Sequence, residues 1–162
     1  MFDEEWSLTT ERLVLRPACG NDVPFASSVW TDARVRTFLG GAISNDEAVR
    51  RICPRIDARE LLVIAGRDSD HLVGLLSVFD CHQQQLELSY LLAPEHWHRG
   101  YATEAIAALL GSLKLSCAGH RLFAITQEAN TPSKNLLVRI GFTEEGQHIE
   151  FDVLQITYGM VL

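Results

Sequence analysis

The segment His96–Thr103 holds the residues whose types and spacing could do chemistry. It reads His-Trp-His-Arg-Gly-Tyr-Ala-Thr and leads into an apolar stretch with helical spacing. The first amides of a helix have no intrahelical acceptor and carry a positive partial charge, so a loop entering a helix can bind an anion. Gly100 lets the backbone approach a phosphate, the small Ala102 leaves the first turn open, and Arg99 offers a charge. We therefore expect a pyrophosphate site on these backbone amides.

The elements that must position this segment are predicted from apolar runs and turn residues. Strands are expected over 12–17, 61–66, 72–79, 86–92 and 122–126, with two more in 142–162. Helices are expected as a short pair within 21–39, from a capping box at Ser44–Glu47 towards Arg55, and over about 102–117 and 131–140. The residues 67–70 are expected to turn between two strands. Because a strand, the glycine loop, a helix and a strand form a crossover unit, the strands 86–92 and 122–126 should be parallel.

Composition and charge narrow the class of protein. The chain has 162 residues without a linker-like stretch, which predicts a single domain over 1–162. A net charge of -7 disfavours nucleic acid as a partner and suits a cationic acceptor such as an amine. The four cysteines are widely spaced and follow no signal-like segment, which favours the cytoplasm. No apolar run reaches the length that spans a bilayer, so no membrane partner is expected.

The sequence also resembles a known family in three segments. Residues 97–105 are similar to the acetyl-CoA loop of the GNAT acetyltransferase superfamily, whose pattern is Gln or Arg, two variable residues, Gly, one variable residue, then Gly or Ala. Trp97 stands at the Gln or Arg position, as in the branch of ribosomal-protein N-terminal acetyltransferases, and His98 stands where that branch usually has Gly. Residues 10–17 resemble the opening strand of this branch, and Asn130-Thr131-Pro132-Ser133 with Ile140-Gly141-Phe142 resembles its later elements. The likeness covers nearly the whole chain.

The resemblance implies a fold and an activity. The fold is a mixed α/β (α+β) domain with a mainly antiparallel sheet of about seven strands, flanked by helices and splayed at one parallel pair. The activity is transfer of the acetyl group of acetyl-CoA to a primary amine. Cofactor contacts are then expected from Leu91, Leu92, Trp97, His98, Arg99, Gly100, Tyr101, Ala102, Thr103, Asn130 and Ser133. The variable segments within 21–55 and the final strands would form the acceptor groove.

Two side chains are the catalytic candidates. Glu87 lies on the strand that the resemblance places beside the thioester, and a period of two puts it on one face with Ser89 and Leu91. It is the candidate general base, directly or through water, although a salt-bridged surface role is also open. Ser133 matches the position near the cofactor sulfur, while Leu137 replaces the tyrosine acid of other branches. Asn130 would both cap a helix and bond the pantetheine arm.

Other functions remain open at this stage. The fingerprints of Rossmann and Walker sites are absent, and zinc binding through His96 and His98 would need further ligands that do not cluster in the sequence. The favoured acceptor is the N-terminal α-amine of a protein or peptide. The alternatives are a small amine, such as an amino acid, polyamine or antibiotic, and a non-catalytic acyl-CoA sensor. Monomer and homodimer are both compatible with the sequence.

Overall fold

The computed structural model describes residues 2–69 and 71–162, so Asp70 of the predicted 67–70 turn lies outside the described residues. The elements follow the predicted order closely. The strands are β1 Leu8–Thr9, β2 Leu13–Pro17, β3 Leu61–Gly66, β4 Leu72–Asp80, β5 Gln85–Leu92, β6 Arg121–Gln127, β7 Thr143–Glu150 and β8 Val153–Val161. The helices are α1 Val23–Thr31, α2 Asn45–Asp57, α3 Tyr101–Ser116 and α4 Thr131–Arg139, with 3₁₀ helices at Gly20–Asp22, Val35–Phe38 and Pro94–His96.

The eight strands form one mostly antiparallel sheet in the order β1-β2-β3-β4-β5-β6-β8-β7. The parallel pair is β5 with β6, in which Gln85, Leu86 and Glu87 face Arg121, Leu122 and Phe123 in register. This confirms the mixed α/β (α+β) class and the predicted parallel pair. The strand number exceeds the expected seven because the two-residue β1 pairs with β2, and two residues are too few to show a period of two.

The first compact unit comprises residues 2–69, 71–77 and 90–105. Its core is an apolar cluster in which α1, α2 and strands β3 and β4 meet residues at the end of β5. The buried members are Ala18, Ala26, Val29, Val35, Ala48, Ile52, Leu61, Val63, Leu75 and Ala93, and half-buried Trp30, Ile43 and Leu91 pack against them. The residues just before the predicted phosphate segment are therefore held by packing.

The second compact unit comprises residues 78–89 and 106–162. Its buried side chains include Leu86, Leu88, Ile106, Leu109, Leu113, Leu122, Leu137, Phe142, Ile156 and Tyr158. Strand β8 lies between β6 and β7 and pairs antiparallel with both, so β7 forms the edge of the sheet. Among the described residues, no helix is long and apolar enough to cross a membrane.

The start of α2 confirms half of the predicted capping box. The Ser44 hydroxyl accepts a hydrogen bond from the Glu47 amide at 3.2 Å, as expected of an N-cap. The Glu47 carboxylate does not reach back to the Ser44 amide, so that part of the prediction is wrong. Instead it accepts from Arg50 at 2.6 Å and from Arg51 at 2.7 Å. Two arginines at the i+3 and i+4 positions outcompete one amide for this carboxylate.

An ion pair with a buried carboxylate joins the end of β2 to the 3₁₀ helix before α1. Asp22 is 3% exposed, and its carboxylate accepts from Arg16 Nη1 at 2.8 Å, Arg16 Nη2 at 2.9 Å and the Cys19 amide at 2.8 Å. Burial acts to raise the pKa of Asp22, but the hydrogen bonds from Arg16 and Cys19 outweigh it and hold the pKa below its ordinary value. The ionised carboxylate is thus the form that the fold stabilises.

Replacing Asp22 by Asn is expected to lower the free energy of unfolding at pH 7 by about 2 kcal/mol, since Arg16 keeps its charge but loses its partner. Because the pKa of Asp22 is lowered in the folded state, this stability is present above the unfolded value of about 3.9 and is lost as the pH falls through the folded value. Urea unfolding at pH 7, and over a pH series that extends below about 3.9, measures the effect. Exposed Asp57→Asn is the control, and an equal loss in both variants would refute the role of the ion pair.

Candidate active site

The predicted phosphate segment follows β5 through the 3₁₀ helix Pro94–His96 and enters α3 at Tyr101. Two hydrogen bonds fix its start. The Ala93 amide donates to the Val73 carbonyl at 3.0 Å, and the Trp97 indole Nε1 donates to the Leu92 carbonyl at 2.9 Å. Trp97 is 38% exposed, but its indole nitrogen is hydrogen-bonded to the last residue of β5. Its indole nitrogen therefore anchors the segment, a role that the sequence pattern does not reveal.

Gly74 lets β4 approach the end of β5 closely. A Cβ atom at this position would lie 2.5 Å from the Leu91 carbonyl oxygen and 3.1 Å from Leu92 Cα. Such a contact with backbone atoms is too short for any side chain. The absence of a side chain at Gly74 thus sets the position of Leu91 and Leu92, the two predicted cofactor contacts on β5.

Two residues of the segment have a left-handed backbone conformation before α3. His98 has φ 59° and Gly100 has φ 80°, both in the left-handed region. The Glu104 amide donates to the Gly100 carbonyl at 3.0 Å and makes the first α-helical bond of α3. The amides of Tyr101, Ala102 and Thr103 therefore have no acceptor within the helix, which is the arrangement that suits an anion.

The left-handed backbone explains why glycine suits position 98. An L-residue in this region costs about 1–2 kcal/mol, and histidine tolerates it better than most residues. The His98 side chain is exposed. Arg99 is exposed too, whereas Tyr101, Ala102 and Thr103 are half-buried.

Replacing His98 by Gly is expected to raise the free energy of unfolding by about 0.5 kcal/mol, because relief of the left-handed strain exceeds the added chain entropy of glycine. Urea unfolding at pH 7 provides the measurement. The control is His148→Gly on β7, where the residue is not in the left-handed region, so glycine should destabilise the fold. A loss of stability in the His98 variant would contradict the strain argument.

An ion-pair network lies at the first turn of α3. The Glu104 carboxylate accepts from Thr10 Oγ1 at 2.6 Å, from the Arg12 amide at 3.0 Å and from Arg12 Nε at 2.7 Å. Arg12 Nη1 also donates to the Arg99 carbonyl at 3.1 Å, and its guanidinium stacks 4.7 Å from the centre of the Tyr101 ring. Arg12 thus holds the backbone of the loop and the ring of Tyr101. Because the ring contacts Arg12, the group of Tyr101 that can bind an anion is its backbone amide.

The charges of this network match an anion site. Partial burial acts to raise the pKa of Glu104, but the hydrogen bonds from Thr10 and Arg12 outweigh it and lower the pKa below its usual value. The carboxylate is therefore ionised, and Arg12 compensates its charge. Sequence reasoning missed this pair because Arg12 and Glu104 lie 92 positions apart and neither belongs to the loop pattern.

His96, at the start of the segment, packs its ring near those of His71 and Tyr101. Its ring lies 5.3 Å from the His71 ring and 6.0 Å from the Tyr101 ring, between centroids. Burial, and to a lesser extent the charges of His71 and Arg99, lowers the pKa of His96 despite the opposing effect of Glu95. Its imidazole is therefore neutral at pH 7 and adds no charge to the loop.

Strand β5 carries the candidate base in the second unit. Leu86 and Leu88 are buried, while Glu87 and Ser89 are half-buried, which confirms the predicted alternation of faces. Glu87 faces Phe123 of β6 in the parallel register, and among the described residues this is the last pair of the register. The half-buried carboxylate therefore lies where the parallel pairing ends.

The start of α4 carries the other predicted residues. The Asn130 side-chain oxygen accepts from the Ser133 amide at 3.3 Å, which confirms that Asn130 is the N-cap. This bond uses the oxygen of the amide group and leaves its NH₂ group as the donor for a ligand. Both residues are half-buried, whereas Leu137 is buried in the core.

Comparison with known proteins identifies the fold and the activity. A family model described as "Acetyltransferase (GNAT) domain" matches residues 12–143. The chain belongs to the GNAT acetyltransferase family. Among curated proteins it is similar to an uncharacterized N-acetyltransferase, YoaA, from Bacillus subtilis, with 28% identity over 86% of this chain and 84% of that protein. The resemblance inferred from the loop and its neighbouring segments is thereby confirmed.

Solved structures show the same GNAT fold with different acceptors. Spermidine N-acetyltransferase from Vibrio cholerae, in complex with CoA and spermine, has a TM-score of 0.80 and 19% identity over 94% of this chain and 96% of that one. Ribosomal-protein-S5-alanine acetyltransferase from Vibrio fischeri has a TM-score of 0.80 and 14% identity over 97% of each chain. At these identities the similarity concerns the fold alone.

GNAT acetyltransferases use acetyl-CoA, so this chain is an N-acetyltransferase with acetyl-CoA as its co-substrate. The loop fits a pyrophosphate, because the first amides of α3 lack helical acceptors, Arg99 is exposed and Arg12 compensates the Glu104 carboxylate. The acceptor is an amine, as the activity requires.

Proposed function

We propose that the chain acetylates the N-terminal α-amine of a protein or peptide. The observation that carries this proposal is the sequence likeness of residues 10–17 and 130–133 to ribosomal-protein N-terminal acetyltransferases. The structural similarity to an enzyme described as acetylating an alanine of ribosomal protein S5 supports it. In this proposal the chain 1–162 acts as one domain in the cytoplasm, as a monomer or homodimer.

The loop binds the cofactor phosphates in this proposal. The pyrophosphate is held by backbone amides of seven consecutive residues, which are Trp97, His98, Arg99, Gly100, Tyr101, Ala102 and Thr103. The Arg99 guanidinium neutralises a terminal phosphate. The backbone near Leu91 and Leu92 bonds the pantetheine arm and the thioester oxygen, and the Asn130 amide group bonds the arm from α4. Apart from the contact of Arg99, these contacts use backbone or amide donors, which tolerate histidine in place of glycine at position 98.

Glu87 and Ser133 carry the proton transfers. The neutral amine attacks the thioester carbonyl, the new C–N bond forms and the C–S bond breaks. Glu87 accepts the proton of the amine, directly or through one water, and then releases it to solvent. Ser133 donates a proton to the departing CoA thiolate and takes one up from solvent, so its hydroxyl is restored. A half-buried position for both side chains supports these roles, because it gives access to substrate while limiting solvation.

A small polyamine is the second candidate acceptor. The similarity to a spermidine N-acetyltransferase and the net charge of -7 favour it, since an acidic surface attracts a polycation. The two acceptors differ in how they respond to salt. Polyamine acetylation would weaken steeply with ionic strength, whereas capture of one α-amine would change little.

Release of the free CoA thiol tests the proposal. Peptides with free N-termini, the same peptides with acetylated N-termini and intact lysines, and spermidine are each supplied with acetyl-CoA. We expect turnover with the free N-termini and none with the blocked ones. Faster turnover of spermidine would establish the polyamine function instead. Binding of acetyl-CoA, seen as a rise in melting temperature, without turnover of any amine would indicate a sensor.

A further inference from the structure

Arg36 is a buried arginine in the 3₁₀ helix Val35–Phe38, with only 4% of its surface exposed. Its Nε donates to the Gly41 carbonyl, and one terminal nitrogen donates to the Leu39 carbonyl. Burial lowers the pKa of Arg36, and the charge of Arg51 lowers it further. Among the described residues no carboxylate pairs with it. A buried cation without a counter-ion costs free energy of folding. The cost indicates that the two hydrogen bonds of Arg36 to the carbonyls serve a role beyond stability.

The two carbonyls flank a tight turn. Gly40 has φ 78° and Gly41 has φ 81°, both in the left-handed region, and the Leu39 amide donates to the Arg36 carbonyl at 3.0 Å. The turn is solvent-facing, with the Leu39 side chain 41% exposed. The guanidinium of Arg36 binds the carbonyls of Leu39 and Gly41, the residues before and after Gly40. The single ammonium group of lysine could not bind both with the same geometry.

The residues on either side of this turn share an apolar cluster with residues that lead to the acetyl-CoA loop. Ile43, just after the turn, and Val35, just before Arg36, belong to the apolar cluster that also contains Leu91 and Ala93. The residues that flank the turn on both sides therefore belong to the same apolar core as the end of β5, where the thioester is proposed to lie.

We propose that Arg36 is a positioning residue for the amine acceptor, holding the turn Leu39–Gly41 in the shape that contacts the acceptor. The proposal rests on the proposed acetyl transfer at the end of β5. The acceptor must approach the thioester from a surface next to that strand end, and the exposed turn is such a surface. Arg36 touches neither acetyl-CoA nor the amine, so its loss should change acceptor binding and leave cofactor binding intact.

Steady-state kinetics of two pairs of variants test this role. Arg36→Met removes the guanidinium, and Arg59→Met removes an exposed arginine outside the segment 21–55 as the charge-matched control. Gly41→Ala strains the turn while Arg36 stays in place. Gly119→Ala is its control, since Gly119 has φ 83° and, like Gly41, has open space where a Cβ atom would lie. Arg36→Lys tests whether charge alone suffices.

We expect Arg36→Met to raise the acceptor KM by about tenfold or more, with kcat and the KM for acetyl-CoA within about twofold of wild type. Gly41→Ala should raise the acceptor KM in the same way, and Arg36→Lys should recover only part of the loss. Equal acceptor KM values in the test and control variants would overturn the proposal, as would a parallel rise of both KM values. If Arg36→Met does not fold, the Gly41 and Gly119 pair decides.

Turnover by the wild-type enzyme distinguishes failure of this proposal from failure of the proposed acetyl transfer. Absence of amine turnover by wild type would refute the proposed function, whereas turnover with unchanged acceptor KM in the variants would refute only the role of Arg36. Amide hydrogen exchange over 39–43 reports the turn without turnover. Faster exchange in Arg36→Met than in Arg59→Met is expected, and equal exchange would contradict the claim that the hydrogen bonds of Arg36 hold the turn.

Discussion

Replacing Glu87 by Gln is expected to lower kcat for amine acetylation by about 100-fold or more, which is the usual contribution of a general base. The amide keeps the size of the side chain and cannot accept the proton of the amine. Binding of acetyl-CoA should stay within about twofold of wild type, because a base removed from the reaction leaves ground-state binding intact. Stopped assays of CoA thiol release, with binding measured by calorimetry, provide both numbers.

The pH dependence makes this test specific. In wild type, kcat/KM should rise with pH as the base and the amine lose protons, and the Glu87 variant should lose the limb that belongs to the base. Glu5→Gln is the matched control, because Glu5 is an exposed glutamate outside the loop and outside the expected acceptor groove. Activity of the Glu87 variant above half of wild type across the pH range would assign Glu87 a structural role.

Replacing Arg12 by Met is expected to weaken acetyl-CoA binding by about tenfold, equivalent to about 1.4 kcal/mol. The substitution leaves the Glu104 carboxylate uncompensated in the first turn of α3, where it repels the pyrophosphate. It also removes the bond from Arg12 Nη1 to the Arg99 carbonyl, which fixes the loop. Because the Arg12 side chain is 45% exposed, the ion pair itself should contribute at most about 1 kcal/mol to folding.

A double-mutant cycle separates charge from loop geometry. If repulsion dominates, Glu104→Gln added to Arg12→Met should restore binding to within about threefold of wild type, because the uncompensated carboxylate is then gone. Arg59→Met is the control, since Arg59 forms an exposed pair with Glu4 outside the loop. A double variant that binds as weakly as Arg12→Met would assign the loss to the loop-fixing bond instead.

Local sequence signals predicted most of the fold and the position of the loop. The glycine and the apolar stretch after it placed α3 within one residue of its start, because a helix start has a local signature. The His98 position was expected to suit glycine, and its left-handed backbone gives the physical reason. The Asn130 cap likewise follows from neighbouring residues.

Contacts between distant segments could not be predicted in the same way. The pairing of Arg12 with Glu104 depends on β2 and α3 coming together, and the bond from the Trp97 indole to Leu92 depends on the path of the loop. The back-bond expected from Glu47 failed because Arg50 and Arg51 compete for its carboxylate. Nor does the pattern around Arg36 disclose that its guanidinium is buried.

Amide chemical shifts in a two-dimensional nitrogen–proton NMR spectrum test the central claim most directly. CoA is titrated into the ¹⁵N-labelled protein, and the amide peaks are followed to saturation. The loop site predicts that the amides of residues 98–103 show the largest downfield shifts, because they donate to the pyrophosphate. Saturable binding with those amides unshifted, and the largest changes in another segment, would contradict the assignment of this loop.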